Sequence, residues 1–230
     1  MKLKNEKIGG THNGARDSQA GRSLVETLMV VAIAAVIGSI AIPQMLSARR
    51  QIRSAALPRE MAAQMRYARQ QAMSQRQAFT FQYDDSTKTI KIYDHQNNNN
   101  VTSGCNMTGL QVLSAANYPN TACSNVVLSM PVATGGISAS DWSYGVPTGI
   151  NANANLDDGN TPTALTGTVV NVTFQSDGTV INTTGGYAKP TLFFYNAQNP
   201  GQTASAISVL GSSGRVKVWR YDTSASKYAE

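Results

Sequence analysis

Histidine and cysteine are scarce in this chain. Its 230 residues hold two of each, and His95 is the one histidine beyond the first twenty-one residues. Neither type clusters in a metal-binding spacing, so the sequence calls for no metal and no cofactor. The same scarcity removes Ser/His and Cys/His catalysis. P-loop, G-x-G-x-x-G, H-E-x-x-H and G-x-S-x-G patterns are missing as well, so no enzyme is expected. Charge is also thin, with 14% Asp, Glu, Lys and Arg and 7% aromatics. Gly, Asn, Ser and Thr become plentiful after residue 95, among β-branched and aromatic runs. That composition fits a β-rich, loop-rich exported domain rather than a charged cytosolic enzyme or a disordered chain.

The net charge of +6 is unevenly placed. Residues 1–21 carry +2 and residues 22–43 balance Arg22 against Glu26. Residues 44–78 carry seven arginines (Arg49, Arg50, Arg53, Arg59, Arg66, Arg69 and Arg76) against Glu60. Residues 79–230 hold seven basic and nine acidic groups. A nucleic-acid binder spreads basic charge over its folded domain. Here the excess flanks an apolar stretch, as beside a membrane.

That stretch is residues 24–42, LVETLMVVAIAAVIGSIAI, interrupted only by Glu26, Thr27 and Ser39. As a helix it spans roughly 28 Å, close to the hydrocarbon thickness of a bilayer. A strand of this length and apolarity has no soluble precedent, and a helix satisfies its own backbone in lipid. A secretory signal has a shorter apolar core followed by a small-x-small site, whereas Pro43-Gln44-Met45 follows here. An ordinary anchor leaves Glu26 unexplained. A carboxylate in a membrane span costs on the order of 2–3 kcal/mol near the bilayer centre and less at the interface, which marks a functional residue with a partner.

Gly21-Arg22-Ser23-Leu24-Val25-Glu26 before this run resembles the class III signal of type IV prepilins and type II secretion pseudopilins. The resemblance implies cleavage after Gly21 by a prepilin peptidase and methylation of the new amine on Arg22. Glu26 stands fifth in the mature chain, and Pro43 takes the place of the family's proline after the apolar helix. Arg22 departs from the usual apolar first residue, and residues 1–21 are longer than the usual leader. The resemblance further implies a subunit held by inner-membrane lipid, with its C-terminal domain in the periplasm, and then packed among other pilins in a filament. There Glu26 would neutralise a neighbour's amine; the alternative is a carboxylate that reaches water at the interface.

Residues 44–78 continue the helical pattern past Pro58, which is expected to kink or divide it. At 100° per residue, Met61, Met65, Ala68, Ala72 and Phe79 form one stripe and should pack on a sheet. Arg59, Arg66, Arg69 and Arg76 form a separate arc, either a solvated face or a contact with lipid phosphate or neighbouring subunits. The organisation read from the chain is a leader (1–21), a transmembrane or filament-core helix (22–43), an amphipathic half (44–78) and a globular β-rich domain (79–230).

In that domain FTFQY from Phe79 and KTIKIY from Lys88 alternate around Asp84-Asp85-Ser86-Thr87, a hairpin. Further strands are expected near 110–114, 125–130, 168–175, 179–182, 191–195, 206–210 and 215–220. Residues 131–167 read as a long variable loop, with room for short strands, anchored by Trp142 and Tyr144. The fold class is α+β, a long N-terminal helix laid on an antiparallel sheet. Cys105 and Cys123 lie 18 apart in a Gly/Asn/Thr-rich region. In an exported domain they read as one disulfide worth roughly 3 kcal/mol, or else as two buried thiols.

QMRYARQQAMSQRQAFTFQY, the Phe174-Gln175-Ser176-Asp177-Gly178 turn and Gly214-Arg215-Val216-Lys217 resemble the GspH/FimT group of minor pilins and pseudopilins. Some members of that group bind DNA through Gly-Arg-x-Arg. The resemblance makes Arg215 and Lys217 candidate DNA contacts, with a glycine beside them that lets a phosphate approach. Lys217 stands where the group has a second arginine and lacks its planar fork. The alternative is a final hairpin whose basic residues face water.

Overall fold

The computed structural model describes residues 23–95, 125–132, 141–151, 156, 161–182 and 186–230, with the backbone alone at 43, 46–55 and 161. Gly21, Arg22, the cysteines Cys105 and Cys123 and the strand expected near 110–114 lie outside the described residues. By contacts the chain divides into two units, Met1–Leu46 and Ser47–Glu230.

Helix α1 covers Leu24–Gln75. The helical assignment runs through Pro58, so that proline does not divide it. The end comes at Gln75 rather than 78. Arg76 takes a left-handed φ of 55°, and the Gln77 N–H donates to the Ala72 carbonyl at 3.2 Å. This is the six-to-one bond that closes a Schellman cap, with arginine where glycine is usual. Phe79 therefore begins a strand instead of completing the helical stripe. The other stripe residues, Met61, Met65, Ala68 and Ala72, are fully buried.

Two antiparallel sheets follow. The first has the order β3-β2-β1-β6, from β1 (Phe79–Asp84), β2 (Thr89–Asp94), β3 (Asn125–Pro131) and β6 (Val169–Phe174). The second runs β10-β9-β8-β7-β4, from β4 (Trp142–Tyr144), β7 (Pro190–Asn196), β8 (Ser205–Leu210), β9 (Arg215–Asp222) and β10 (Lys227–Ala229). The two-residue β5 (Thr161–Pro162) pairs in parallel with β7, and a short α2 (Pro200–Thr203) precedes β8. Within the second unit, Leu57, Met61, Met65, Ala68 and Ala72 share one core with Phe79, Phe81, Ile92, Val172, Leu192, Ile207 and Val216. The α+β class, a helix on antiparallel sheet, is thus what the chain forms.

One reading is corrected, and one strand departs from its alternating pattern. Residues 179–182 are no strand, because Val180 spends its N–H on the Gly211 carbonyl and its own carbonyl on the Ala188 N–H. That leaves isolated bridges at Val180 and Ile181, and a connector joining segments of both sheets. Strand β1 also lacks a wet face. Phe79 through Tyr83 are all buried. Its polar side is satisfied sideways: Thr80 Oγ1 lies 2.5 Å from His95 Nε2 and 2.6 Å from Thr173 Oγ1, and Gln82 donates to Asn171 Oδ1 at 2.9 Å. Buried polar groups paired across three strands cost little and fix register.

Burial holds His95 neutral down to about pH 4, well below its ordinary 6.5. An unfolded chain takes the proton near 6.5, so stability is full above that value and is lost as pH falls towards 4. Asp84, Asp177 and Asp222 also have lowered pKa values, but the stability they add is lost only below about 4. Urea melts of the full chain in detergent should therefore lose about 2–3 kcal/mol between pH 7 and 4.5. The variant His95→Gln should lose less than about 1 kcal/mol over the same window. Equal losses in both proteins would contradict this assignment.

Candidate functional site

The first candidate site is the start of α1. Leu24–Ile42 is one helical stretch long and apolar enough to cross a membrane, and none of it is buried. Its large apolar side chains are each more than half exposed, Leu24 reaching 77%. The polar residues inside it are treated in two ways. Thr27 Oγ1 donates to the Leu24 carbonyl at 2.9 Å, and Ser39 Oγ donates to the Val36 carbonyl at 2.7 Å. Both hydroxyls thus fold back on the helix, the arrangement that lipid tolerates. Glu26 has no such answer. It lies exposed in the first turn, where the helix dipole favours an anion, and its carboxylate meets no donor among the described residues. Pro43 lies within α1, one residue beyond the apolar stretch.

The second candidate site is the turn from β8 to β9. Arg215 and Lys217 alternate along β9 and so share a face, as expected. Arg215 is exposed. Lys217 is occupied: its Nζ lies 2.9 Å from Glu230 Oε2 and 4.9 Å from the centre of the Trp219 ring. The indole is held in turn, donating from Nε1 to Ser208 Oγ at 2.7 Å. The glycine of this motif is also occupied. Gly214 has φ +63°, and a Cβ there would lie 1.9 Å from the Gly178 carbonyl oxygen and 2.7 Å from Arg69 Nε. The Asp-Gly turn after β6 and the Gly-Arg-Val-Lys segment, far apart in sequence, therefore meet backbone to backbone under a helix arginine. Gly214 is needed for that approach, and its open side is filled by protein, which corrects the reading of a gap for phosphate.

Sequence reasoning missed two partners here. Glu230 was not paired with Lys217, because only the register of β9 against β10 brings the chain's last residue back. Arg66 belongs to the arc read as a solvated face or an external contact, yet one Nη donates to the Val216 carbonyl of its own chain at 3.1 Å. Its position beside the buried stripe is the signal that could have found it. Among the described residues no group of three His, Cys, Asp or Glu could hold a metal ion.

No protein-family model and no curated relative matches the chain. Among solved structures, the type IV minor pilin FimU of Pseudomonas aeruginosa matches in two crystal forms, both at 16% identity and 76% of this chain. These reach TM-scores of 0.39 and 0.37, over 91% and 96% of that protein. The minor pseudopilin EpsH from the Type 2 Secretion System of Vibrio cholerae matches at 10% identity and TM-score 0.38, over 71% of this chain and 93% of EpsH.

Proposed function

We propose that this chain is a minor pilin or pseudopilin, a structural subunit for assembly of a type IV pilus or a type II secretion pseudopilus. The prepilin peptidase cuts after Gly21 and the Arg22 amine is methylated. Residues 24–42 then hold the protein in the inner membrane, with the C-terminal domain in the periplasm, until the helix packs among those of other pilins. The observation that carries this reading is the Glu26 carboxylate, which meets no donor among the described residues and lies in the first turn of an apolar helical stretch none of which is buried. Glu26 serves as a registration device: only a neighbour placed at one height offers its amine, and any other height leaves a charge buried alone. Deleting the gene in the native host should reduce surface filaments or type II secretion, with recovery on re-expression. Unchanged filaments and unchanged secretion would contradict the proposal.

Nucleic-acid binding through Arg215 and Lys217 has less support. Lys217 is neutralised by Glu230, and the glycine beside them is filled by Gly178 and Arg69. Arg215→Ala with Lys217→Ala should change the affinity for duplex DNA by less than about twofold at moderate salt. A loss of tenfold or more would restore that reading.

A further inference from the structure

We infer that the arginine arc of α1 is a docking surface for a carboxylate-rich protein surface. Arg59, Arg66 and Arg69 lie within about 80° of arc beside the buried stripe, with Met73 among them, and Arg76 follows in the left-handed cap that ends the helix. Arg59, Arg66 and Arg76 are exposed, and Met73 is 38% exposed. Arg66 is fixed by the Val216 carbonyl. Arg69 lies against Gly178 and Gly214, and its Nε is buried with no acceptor. Arg59, Arg69 and Arg76 make no hydrogen bond or ion pair among the described residues. Two neighbouring acids among the described residues already accept hydrogen bonds elsewhere. Glu60 lies outside the arc and accepts from Gln64. Asp177, in the turn against Arg69, accepts from the Thr179 N–H and hydroxyl. Arg66 and Arg69, three apart on one helix face, are like charges whose repulsion an external anion relieves.

The chemistry favours a protein over a nucleic acid. All seven basic residues between 44 and 78 are arginine, whereas five of the seven after 78 are lysine. Arginine's planar fork suits carboxylate and phosphate alike, but arginine beside an exposed methionine is the composition of a protein interface core. This inference does not rest on the filament reading and survives if the N-terminus is uncut.

The test is fluorescence anisotropy with the full chain in a neutral detergent at low ionic strength. The probes are a labelled poly-L-glutamate peptide and a labelled DNA duplex of equal charge. Arg59→Gln, Arg69→Gln and Arg76→Gln combined should weaken polyglutamate binding about tenfold. Met73→Glu, which keeps every arginine, should weaken it about fivefold, and Arg49→Gln, Arg50→Gln and Arg53→Gln combined less than about twofold. A melting temperature matching wild type qualifies each variant, and Met73→Glu stands in if the triple variant does not fold. Binding that ignores the arc, or falls equally in the 49–53 variant, overturns the inference. So does duplex DNA binding more tightly than polyglutamate with the same dependence on the arc.

Discussion

Glu26→Ala should leave the chain in the membrane and remove it from filaments. The substitution makes the apolar stretch more apolar, so membrane retention is unchanged or improved. In the proposed filament it would leave a neighbour's amine buried without a counter-charge, at a cost of roughly 3–5 kcal/mol. That cost corresponds to a fall in incorporation between about a hundredfold and a few thousandfold. Sheared filaments and membranes from the native host, probed with an antibody to the chain, give both quantities in one experiment. Glu26→Asp keeps the charge but shortens its reach, and should fall between the two. Wild-type incorporation of Glu26→Ala would mean that the carboxylate reaches water at the interface and sets no register.

The second large effect concerns folding. Gly214→Ala should destabilise the C-terminal unit by at least about 3 kcal/mol, and Gly211→Ala by a similar amount. Gly214 carries φ +63° and faces the Gly178 carbonyl oxygen, where a Cβ would sit 1.9 Å away. The left-handed backbone alone costs an alanine roughly 1 kcal/mol. The clash requires the two turns to separate, which also uncovers Arg69. Gly211 has the contact without the unusual backbone: its Cβ would lie 1.8 Å from the Ala188 carbonyl oxygen. Separation there breaks the Val180 N–H bond to the Gly211 carbonyl, part of the connector between the sheets. Urea melts of the full chain in detergent measure both effects. Unchanged midpoints would show that the turns are loosely packed, and would reopen the space beside Arg215 to a ligand.

Local patterns carried most of the fold. The 19-residue apolar run, the Met61-Met65-Ala68-Ala72 stripe and the alternation around Asp84-Asp85-Ser86-Thr87 each encode their element through spacing alone, and each formed. What spacing does not encode is contact between distant segments. Thr80 and Gln82 look like the solvent side of an amphipathic strand, yet β1 lies between β2 and β6, with His95, Thr173 and Asn171 in reach. Val180-Ile181 has strand composition, but its hydrogen bonds are taken by Gly211 and Ala188. The end of α1 was misplaced because an arginine holds the left-handed position that normally announces itself as glycine.

The two candidate sites differ in the same way. At the N-terminus everything depends on position along a single helix, so the places of Glu26, the apolar run and Pro43 on it follow from spacing alone. Near β9 the chemistry depends on which side chains tertiary structure brings together. Gly-Arg-Val-Lys reads as an anion site in one dimension. In three dimensions its glycine packs on Gly178 and its lysine is held by Glu230 and Trp219, while the unanswered positive charge lies on the helix beside it.

The most direct test of the central claim is mass spectrometry of the N-terminus of the protein isolated from its native host. The account predicts a chain that begins at Arg22 with a methylated α-amine, placing Glu26 fifth. A chain that keeps residues 1–21, or is cut at another position, would contradict it and leave a membrane-anchored domain whose Glu26 has no neighbour's amine to meet.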